Sequence, residues 1–313
     1  MNALLFPGQG SQIVGMGSDF FKNFNIVKKI FQEADEKLKF PISKIILEGP
    51  ENQLQLTKNT QPAILTVSYS IFKVMKEEFS FDFEKFQFFA GHSLGEYSAL
   101  VCSNSLKFTD ALHLLHERGK SMQEAVPVGQ GGMIAVLGTD LVKIDNLLNN
   151  FKYEKGVCEV ANDNANGQII LSGDKNKIDA FKNILRENNI KSIPLKVSAP
   201  FHCSLMKPAA EKMKKKINDV DFSSPIKKVI CNVTANSEDD PKKIKNLLVE
   251  QIYSTVRWRE SIINLSDIGV KNYVEIGPGK VLTGMVKRTI KNSNCYSINT
   301  IDEIRKLNDE FKK

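Results

Sequence analysis

The sequence predicts an α/β protein with a parallel sheet and a smaller second domain inserted into the first. Short apolar runs alternate with segments in which apolar residues recur every three or four positions, as expected for strands that alternate with amphipathic helices. A glycine-rich segment at 127–132 separates this pattern from a compact run of elements with its own order. A chain of 313 residues is long enough for one large domain or two modest ones.

The first part of the chain supplies elements of the larger domain. Their order predicts a strand at 3–6, a helix at 18–38, a helix that begins near Thr60, a strand at 86–90, a helix after residue 95 and a helix that Thr109 caps and that ends near residue 125. The helix at 18–38 rests on apolar residues at helical spacing, among them Phe20, Phe24, Val27 and Phe31. Pro62 favours a helix start near Thr60, because proline is tolerated in the first turn.

Residues 126–198 are predicted to form the inserted domain. Within them we predict a strand at 133–137, a helix at 140–149, strands at 157–161 and 168–171, a helix at 175–189 and a strand at 190–197. This β-α-β-β-α-β order is that of a ferredoxin-like domain. The larger domain is then discontinuous and comprises residues 1–125 and 199–313.

The larger domain resumes with a helix that opens at Pro208. Strands follow at 228–233 and 273–276, and the second of them ends in Gly277-Pro278-Gly279 before another helix. The core is therefore expected to draw strands from both ends of the chain.

Composition is that of an ordinary globular protein, with 25% charged and 42% hydrophobic residues. It excludes a disordered chain, a collagen-like repeat and a small disulfide-stapled protein. No run approaches the ~20 apolar residues that a membrane span needs, and the N-terminus lacks the basic segment of a signal peptide. The five cysteines are odd in number and never form C-x-x-C, so we expect neither a zinc site nor structural disulfides. This cysteine usage indicates a reducing compartment, the cytoplasm.

The chain is basic, with 43 Lys+Arg against 36 Asp+Glu and a formal net charge of +7. Much of the excess is lysine in helix-like stretches such as 212–216, which is typical of a solvated face. No recognised nucleic-acid module gathers this charge, so nucleic-acid binding is not expected. We expect the positive net charge to attract acidic partners mildly.

The motif Gly91-His92-Ser93-Leu94-Gly95 has the form G-x-S-x-G. It follows an apolar strand and precedes a helix, the context in which this motif makes a sharp turn that exposes a serine. The unpaired N–H groups and the dipole of that helix favour a developing oxyanion. The motif therefore predicts Ser93 as a nucleophile, and a plain tight turn with an incidental serine is the competing interpretation.

A serine nucleophile needs a base, and the chain has four histidines. His92 adjoins the serine on the turn, where its side chain points away, and His113 and His116 lie within a predicted helix. His202 lies in a proline-broken loop, and loops on a rigid scaffold often carry catalytic groups. His202 is thus the best candidate by elimination. No histidine follows it, whereas an α/β-hydrolase places its histidine late, after a triad acid, so the order argues against an ordinary hydrolase.

Two further polar residues stand in positions suited to chemistry. Gln9 lies on a loop after the first strand, where its amide would serve as an oxyanion donor. Arg118 emerges from a largely apolar helix face. It is either a snorkelling arginine, or one paired with a carboxylate such as Glu96, or a bidentate clamp for a substrate carboxylate.

Taken together, these residues resemble the malonyl-CoA:acyl carrier protein transacylases, a family related to acyltransferase domains of polyketide and fatty-acid synthases. The matching motifs cover nearly the whole chain and lie at 6–12, 60–63, 91–97, 118–120, 202–206 and 275–282. The resemblance implies a large α/β-hydrolase-like core with the inserted ferredoxin-like domain. It also implies a cytoplasmic enzyme of bacterial type, and leaves open a plastid origin with the leader removed.

The resemblance assigns the central roles. Ser93 is the acylated nucleophile and His202 is the base. Gln9 and the backbone N–H of Leu94 form the oxyanion hole. Arg118 binds the malonyl carboxylate.

Supporting roles follow from the same resemblance. Gln251 matches the position whose main-chain carbonyl orients the histidine, which gives a dyad plus a carbonyl in place of a Ser-His-Asp triad. Asn162 and Gln168 match small-domain positions that line the cleft, and Met122 is a further expected substrate-binding residue. Phe201 resembles the malonyl-selective variant of the synthase domains, whereas many stand-alone members carry a serine there.

The function implied is ping-pong malonyl transfer that supplies fatty-acid chain elongation. Malonyl-CoA acylates the serine and releases CoA, and the phosphopantetheine thiol of acyl carrier protein then takes the malonyl group. We expect no metal or other cofactor, no nucleic-acid or membrane partner, and a monomer. Two competing hypotheses are a serine hydrolase or thioesterase on the same Ser–His site, and a non-catalytic module that docks the carrier.

Overall fold

The computed structural model describes residues 1–153, 155–197 and 199–311. Two separate β-sheets, with helices packed on them, make up this part of the chain. The strands are β1 (Asn2–Phe6), β2 (Phe88–Gly91), β3 (Gly131–Leu137), β4 (Cys158–Ala165), β5 (Gln168–Asp174), β6 (Lys191–Pro194), β7 (Lys228–Ile230), β8 (Ser237–Glu238), β9 (Asn272–Ile276) and β10 (Asn294–Ile298). The α-helices are α1 (Ser18–Asn23), α2 (Asn25–Leu38), α3 (Ile42–Glu48), α4 (Glu51–Leu54), α5 (Thr57–Glu77), α6 (Gly95–Cys102), α7 (Phe108–Glu124), α8 (Leu141–Asn150), α9 (Lys175–Glu187), α10 (Lys207–Asn218), α11 (Pro241–Gln251), α12 (Trp258–Asp267), α13 (Val281–Thr289) and α14 (Ile301–Phe311).

The larger sheet has the strand order β10-β9-β1-β2-β7-β8. Neighbouring strands in it are parallel, apart from the antiparallel pair of β7 and β8 at one edge. Strand β1 is apolar on both faces, as a parallel sheet covered on both sides requires. Leu4 and Phe6 belong to one apolar core, and Ala3 and Leu5 to another. The predicted α/β fold with a parallel sheet is confirmed.

The register of this sheet places two loops side by side. Phe6 at the end of β1 pairs with Gly91 at the end of β2. Because the carboxyl ends of parallel strands meet at one edge of the sheet, the loop that carries Gln9 adjoins the turn that carries Ser93.

The smaller sheet has the strand order β4-β5-β3-β6, and its neighbouring strands are antiparallel. Its elements follow one another as β3, α8, β4, β5, α9 and β6. They enclose an apolar core of their own that includes Ile144 and Phe181. Strand β4 also contacts the segment that precedes α12, because the N–H of Asp163 donates to the carbonyl of Val256 at 3.0 Å. Ser198, the last residue of the predicted insert, lies outside the described residues, as do residues 312–313.

The predicted helix at 18–38 is in fact two helices, α1 and α2, that meet at Phe24. Phe24 has extended backbone angles, with φ of −125° and ψ of 124°. Its ring still packs against those of Phe20 and Phe79, at centroid distances of 6.4 Å and 6.1 Å. The apolar spacing thus continues through the break, and periodicity alone predicts one helix.

Two predicted helix starts are wrong. Helix α5 begins at Thr57 and not near Thr60, so Pro62 lies inside it. Helix α7 begins at Phe108, so Thr109 lies within its first turn and makes no cap. The sequence patterns also do not predict α3, α4, α11, α12, α14, β8 or β10.

A histidine compensates for the proline inside α5. Pro62 has no N–H to donate to the carbonyl of Lys58, one turn earlier. The ring Nδ1 of His116, on α7, donates to that carbonyl at 2.9 Å. His116 therefore has a structural contact between two packed helices. Among the helices of the described ranges, none is both long and apolar enough to cross a membrane.

Candidate active site

A cleft of about 860 Å³ is lined by residues from both sheets and from the loops after β1 and β2. The predicted site residues that line it are Gln9, Ser93, Leu94, Arg118, Met122, Asn162, Gln168, Phe201 and His202. Gln251, the remaining predicted residue, is buried beside them with 1% of its surface exposed. The structure brings the whole predicted set together.

The turn at Ser93 is sharp and depends on the glycines on both sides of it. Ser93 has a φ of 52°, in the left-handed region that residues with side chains rarely adopt. A Cβ on Gly91 would lie 1.9 Å from the backbone of Gly95, and a Cβ on Gly95 would lie 2.2 Å from the carbonyl oxygen of Phe6. Only glycine fits at these two positions, so the motif forms a strand-to-helix elbow.

Asn232, which follows β7, holds the elbow in this conformation. Its Oδ1 accepts the backbone N–H of Ser93 at 2.7 Å, and its Nδ2 donates to the carbonyl of Gly91 at 2.7 Å. Asn232 is a functional residue that the sequence motifs do not predict. Its position close behind a strand of the parallel sheet is the signal that would have found it.

Ser93 and His202 form a hydrogen-bonded pair. Oγ of Ser93 lies 2.8 Å from Nε2 of His202, and Nδ1 of His202 lies 2.8 Å from the main-chain oxygen of Gln251. Because a carbonyl oxygen only accepts, Nδ1 carries the proton and Nε2 accepts the hydroxyl hydrogen of the serine. The imidazole is thus in the tautomer that a general base requires.

The environment of His202 favours its neutral form. Burial, assisted by the positive charge of Arg118, lowers the pKa of His202 to about 3. The backbone of His202 is also left-handed, with a φ of 56°, a conformation that residues with side chains rarely adopt. A neutral imidazole therefore faces the serine at neutral pH.

The other three histidines lie elsewhere. Nε2 of His92 lies 2.8 Å from Oδ1 of Asn164, and its ring packs edge-on against Trp258. His116 bridges two helices as described above, and His113 is exposed on α7. Burial lowers the pKa values of His92 and His116, so these rings also favour the neutral form.

Arg118 is buried, with 1% of its surface exposed, and reaches the serine. Nη2 donates to Oγ of Ser93 at 3.1 Å and to Oε1 of Gln251 at 2.8 Å, and Nη1 donates to Oε1 of Gln61 at 2.8 Å. Within the described residues Nε has no partner, and no carboxylate lies within ion-pair distance, so the pairing with Glu96 considered above is not formed. A guanidinium held by amide oxygens keeps its charge for an anion beside the serine.

Two backbone N–H groups are free to stabilise an oxyanion. Leu94 stands just before the first turn of α6, and within the part of the chain described neither its N–H nor that of Gln9 has an acceptor. The side-chain amide of Gln9 is exposed and donates to the hydroxyl of Thr57 at 3.5 Å. The side-chain amide thus has a hydrogen-bond acceptor in Thr57, whereas the backbone N–H of Gln9 is the donor left without one.

The remaining predicted residues form walls of the cleft. Phe201 and Met122 are buried and apolar. Asn162 on β4 and Gln168 at the start of β5 come from the smaller sheet, and Oε1 of Gln168 has no hydrogen-bond partner among the described residues. Across the described ranges, no group of three or more His, Cys, Asp or Glu side chains is arranged to hold a metal ion.

Comparison with known proteins places this chain in a family. The acyl transferase domain family matches residues 3–312. The chain is 42% identical to the malonyl CoA-acyl carrier protein transacylase of Bacillus subtilis, over 96% of this chain and 94% of that one. It is similar to the solved acyl-carrier-protein-S-malonyltransferase of Bartonella henselae, with a TM-score of 0.96, 40% identity, and coverage of 100% of this chain and 99% of that one. A malonyl-transacylase solved in complex with its type II PKS acyl-carrier protein is also similar, with a TM-score of 0.94 and 36% identity over 99% of each chain. The chain belongs to the acyl transferase domain family.

Proposed function

We propose that this chain transfers the malonyl group from malonyl-CoA to the phosphopantetheine thiol of an acyl carrier protein, which supplies fatty-acid chain elongation. The names of its relatives and the solved complex of one of them with its carrier support these substrates. The observation that carries the proposal is the buried, unneutralised guanidinium of Arg118, 3.1 Å from the Ser93 hydroxyl. A nucleophile beside such a cation suits a thioester whose acyl group ends in a carboxylate.

In the first half-reaction Ser93 attacks the thioester carbonyl of malonyl-CoA. Nε2 of His202 takes the hydroxyl proton, and the main-chain carbonyl of Gln251 stabilises the imidazolium through Nδ1–H. The backbone N–H groups of Leu94 and Gln9 stabilise the oxyanion. The C–S bond then breaks, His202 returns the proton to sulfur, and CoA leaves as a thiol.

In the second half-reaction the phosphopantetheine thiol attacks the malonyl-serine ester. His202 takes the thiol proton, the same N–H groups stabilise the oxyanion, and the C–O bond to Ser93 breaks. The serine oxygen recovers its proton from His202, and the malonyl thioester leaves on the carrier. One base and one oxyanion site serve both steps, so the donor and the acceptor use the site in turn.

Arg118 receives the malonyl carboxylate. Removing water from a carboxylate is costly unless a cation replaces the lost hydration. The Nε–H of the guanidinium has no partner among the described residues and provides one donor to the carboxylate. The Nη2 N–H that contacts Ser93 Oγ provides the second donor when it exchanges the hydroxyl for a carboxylate oxygen, and the other Nη2 N–H stays on Gln251. Phe201 and Met122 then cover the short acyl group, and Asn162 and Gln168 supply polar groups from the smaller sheet.

We also propose the division of the chain into an α/β-hydrolase-like core, residues 1–125 and 199–313, and a ferredoxin-like insert, residues 126–198. The β-α-β-β-α-β sequence of elements and the antiparallel order β4-β5-β3-β6 support the insert. Every group used in the two half-reactions belongs to one chain. We therefore propose a monomer that works without a metal or other cofactor. We also propose that it acts in the cytoplasm, which the bacterial origin of its relatives supports.

Intact mass after exposure to malonyl-CoA tests the proposal. We expect the wild-type protein to gain one malonyl group, and to lose it to holo-acyl carrier protein when the carrier is added. Ser93→Ala should stay unmodified, and His202→Ala should be acylated more slowly by several orders of magnitude. Release of malonate to water in preference to the carrier would identify a serine hydrolase. Carrier binding without acylation would identify a docking module, and either result contradicts the proposal.

A further inference from the structure

A buried carboxyl group close to the elbow is not used by the steps above. Glu96, on the first turn of α6, has 1% of its surface exposed. Its Oε2 accepts the backbone N–H of Asn232 at 2.9 Å and Nε2 of Gln251 at 2.8 Å. No Lys, Arg or His of the described residues forms an ion pair with it, and burial raises its pKa to about 7. The geometry therefore assigns Glu96 the role of an acceptor for these two N–H donors.

The contacts of Gln251 fix which way its side-chain amide points. Nε2 faces three oxygen acceptors, those of Glu96 at 2.8 Å, the carbonyl of Ser93 at 3.1 Å and Oδ1 of Asn232 at 3.3 Å. An amide nitrogen donates and an amide oxygen accepts, so the reversed orientation would place oxygen against oxygen three times. The amide oxygen must then lie on the other side, where it accepts Nη2 of Arg118 at 2.8 Å.

This arrangement explains how Arg118 is held without losing its charge. A carboxylate in direct contact would fix the guanidinium but would also compete with a substrate carboxylate for the same N–H donors. An amide oxygen fixes it without adding a negative charge. The side-chain amide of Gln251 lies between Glu96 and Arg118. The acceptor oxygen of Glu96 therefore orients this amide, and the amide positions the guanidinium, without an ion pair between Glu96 and Arg118.

We propose that Glu96 and the side chain of Gln251 are positioning residues for Arg118, in which the carboxyl group orients the amide and the amide oxygen holds the guanidinium beside Ser93. This role rests on the proposed function, since it matters only if a substrate carboxylate binds Arg118. It is separate from the main-chain contact of Gln251 with His202, which survives any change of the side chain. Loss of the side-chain contacts should therefore affect malonyl transfer more than acetyl transfer.

The test compares the rate of acylation by malonyl-CoA and by acetyl-CoA, measured by intact mass on the full chain. Gln251→Met and Glu96→Met remove the relevant acceptors at similar side-chain volume. Each should lower kcat/KM for malonyl-CoA roughly 10- to 100-fold more than for acetyl-CoA, the range for one hydrogen bond to a charged group. Glu96→Gln keeps an oxygen that accepts from Gln251 and Asn232, so it should restore most of the malonyl preference lost in Glu96→Met.

Equal losses with both thioesters in the methionine variants would show a merely structural role and overturn the proposal. If those variants do not fold, Gln251→Asn keeps a polar amide that is one methylene too short to span Glu96 and Arg118. It should lose the malonyl preference, and an unchanged preference in it also overturns the proposal. A wild-type protein that malonyl-CoA does not acylate refutes the proposed function, whereas an acylated wild type with unchanged preferences in the variants refutes only the positioning role.

Discussion

At the scale of single residues, the proposed role of Arg118 as the carboxylate-binding group rests on its burial and its contacts. Among the described residues its hydrogen bonds go to amide and hydroxyl oxygens, and its guanidinium lies 5.8 Å from the ring centroid of Tyr97. Arg118→Ala is expected to reduce kcat/KM for malonyl-CoA by the equivalent of roughly 3–5 kcal/mol, the range for breaking a buried ion pair. Acetyl-CoA carries no carboxylate, so acetyl transfer should hold or improve. Acylation rates of Ser93 with the two thioesters provide the measurement.

Arg118→Lys is the matched control for the geometry of the guanidinium. An ammonium keeps the charge but cannot donate in parallel to both carboxylate oxygens, so it should recover little of the malonyl rate. If Arg118→Ala loses malonyl and acetyl transfer in equal proportion, the arginine is structural and its assignment as a carboxylate clamp is wrong.

The lowered pKa of His202 predicts the pH dependence of acylation. Burial and the charge of Arg118 bring this pKa to about 3, against about 6.5 for an ordinary histidine. The base should remain neutral, and the acylation rate nearly constant, as the pH falls from about 8 to about 5. The unfolded chain binds this proton below about pH 6.5, so the contribution of His202 to folding stability should decline as the pH falls below that value.

Single-turnover acylation across this pH range checks the prediction for His202. A rate that falls by half near pH 6.5 would show that the histidine titrates as an exposed one, and would contradict the environment described. Arg118→Ala provides the internal comparison, because loss of a neighbouring positive charge should raise the pKa of His202 while burial continues to lower it.

Local sequence signals predicted Ser93, His202 and Arg118 as candidates, because each stands in a recognisable context along the chain. They did not predict Asn232, and the resemblance gave Gln251 only for its main-chain carbonyl and not for its side-chain contacts. Asn232 lies 139 positions from Ser93, and the side-chain contact of Gln251 with Arg118 spans 133 positions. Such contacts depend on which strands and helices become neighbours, and no pattern within one segment encodes that information.

At the scale of elements, the elbow between β2 and α6 depends on close approach of two backbones. Gly95→Ala would place a Cβ 2.2 Å from the carbonyl oxygen of Phe6, an atom of the central strand that cannot move aside cheaply. We expect a loss of about 1–3 kcal/mol in stability and a marked loss of acylation, because the turn that carries Ser93 must shift. Thermal unfolding and intact mass measure the two effects.

Gly284→Ala is the matched control for that substitution. Gly284 lies within helix α13, and a Cβ there would meet nothing within 4 Å. Alanine is a better helix former than glycine, so this variant should gain about 0.5–1 kcal/mol and keep its acylation rate. A Gly95→Ala protein as stable and as active as Gly284→Ala would show that the elbow tolerates a side chain.

Periodicity predicted most of the long elements and failed where tertiary contacts replace local rules. Phe24 keeps its apolar contacts through a break in the helix, so the spacing of side chains conceals the break. Pro62 lies inside α5 because His116 satisfies the carbonyl that a proline leaves free. The contact that satisfies the Lys58 carbonyl comes from another helix, and the apolar packing of Phe24 continues although the helix is broken. A pattern within one segment shows neither feature.

At the scale of the whole molecule, the sequence predicted a parallel sheet but not its strand order. Strand β1 lies between β2 and β9, which are separated by most of the chain. This order brings the loop after β1 against the elbow, and β4 brings the smaller sheet to the same cleft through its contact with Val256. The site therefore assembles from both sheets, and its completeness depends on the topology.

The net charge of +7 leads to a prediction for the whole molecule and its protein partner. Acyl carrier proteins are expected to be acidic, and opposite net charges raise the rate at which two proteins meet. Salt screens this attraction, with a Debye length of about 10 Å at 0.1 M that falls to about 3 Å at 1 M. We expect kcat/KM for the carrier to fall roughly tenfold or more over that range, and the rate of acylation by malonyl-CoA to fall less steeply.

The test compares steady-state rates of transfer to the carrier with rates of the acylation half-reaction at the same salt concentrations. Equal salt dependence of the two half-reactions, or none for the carrier, would show that shape and apolar contact, and not the charge of the chain, bring the carrier to the cleft.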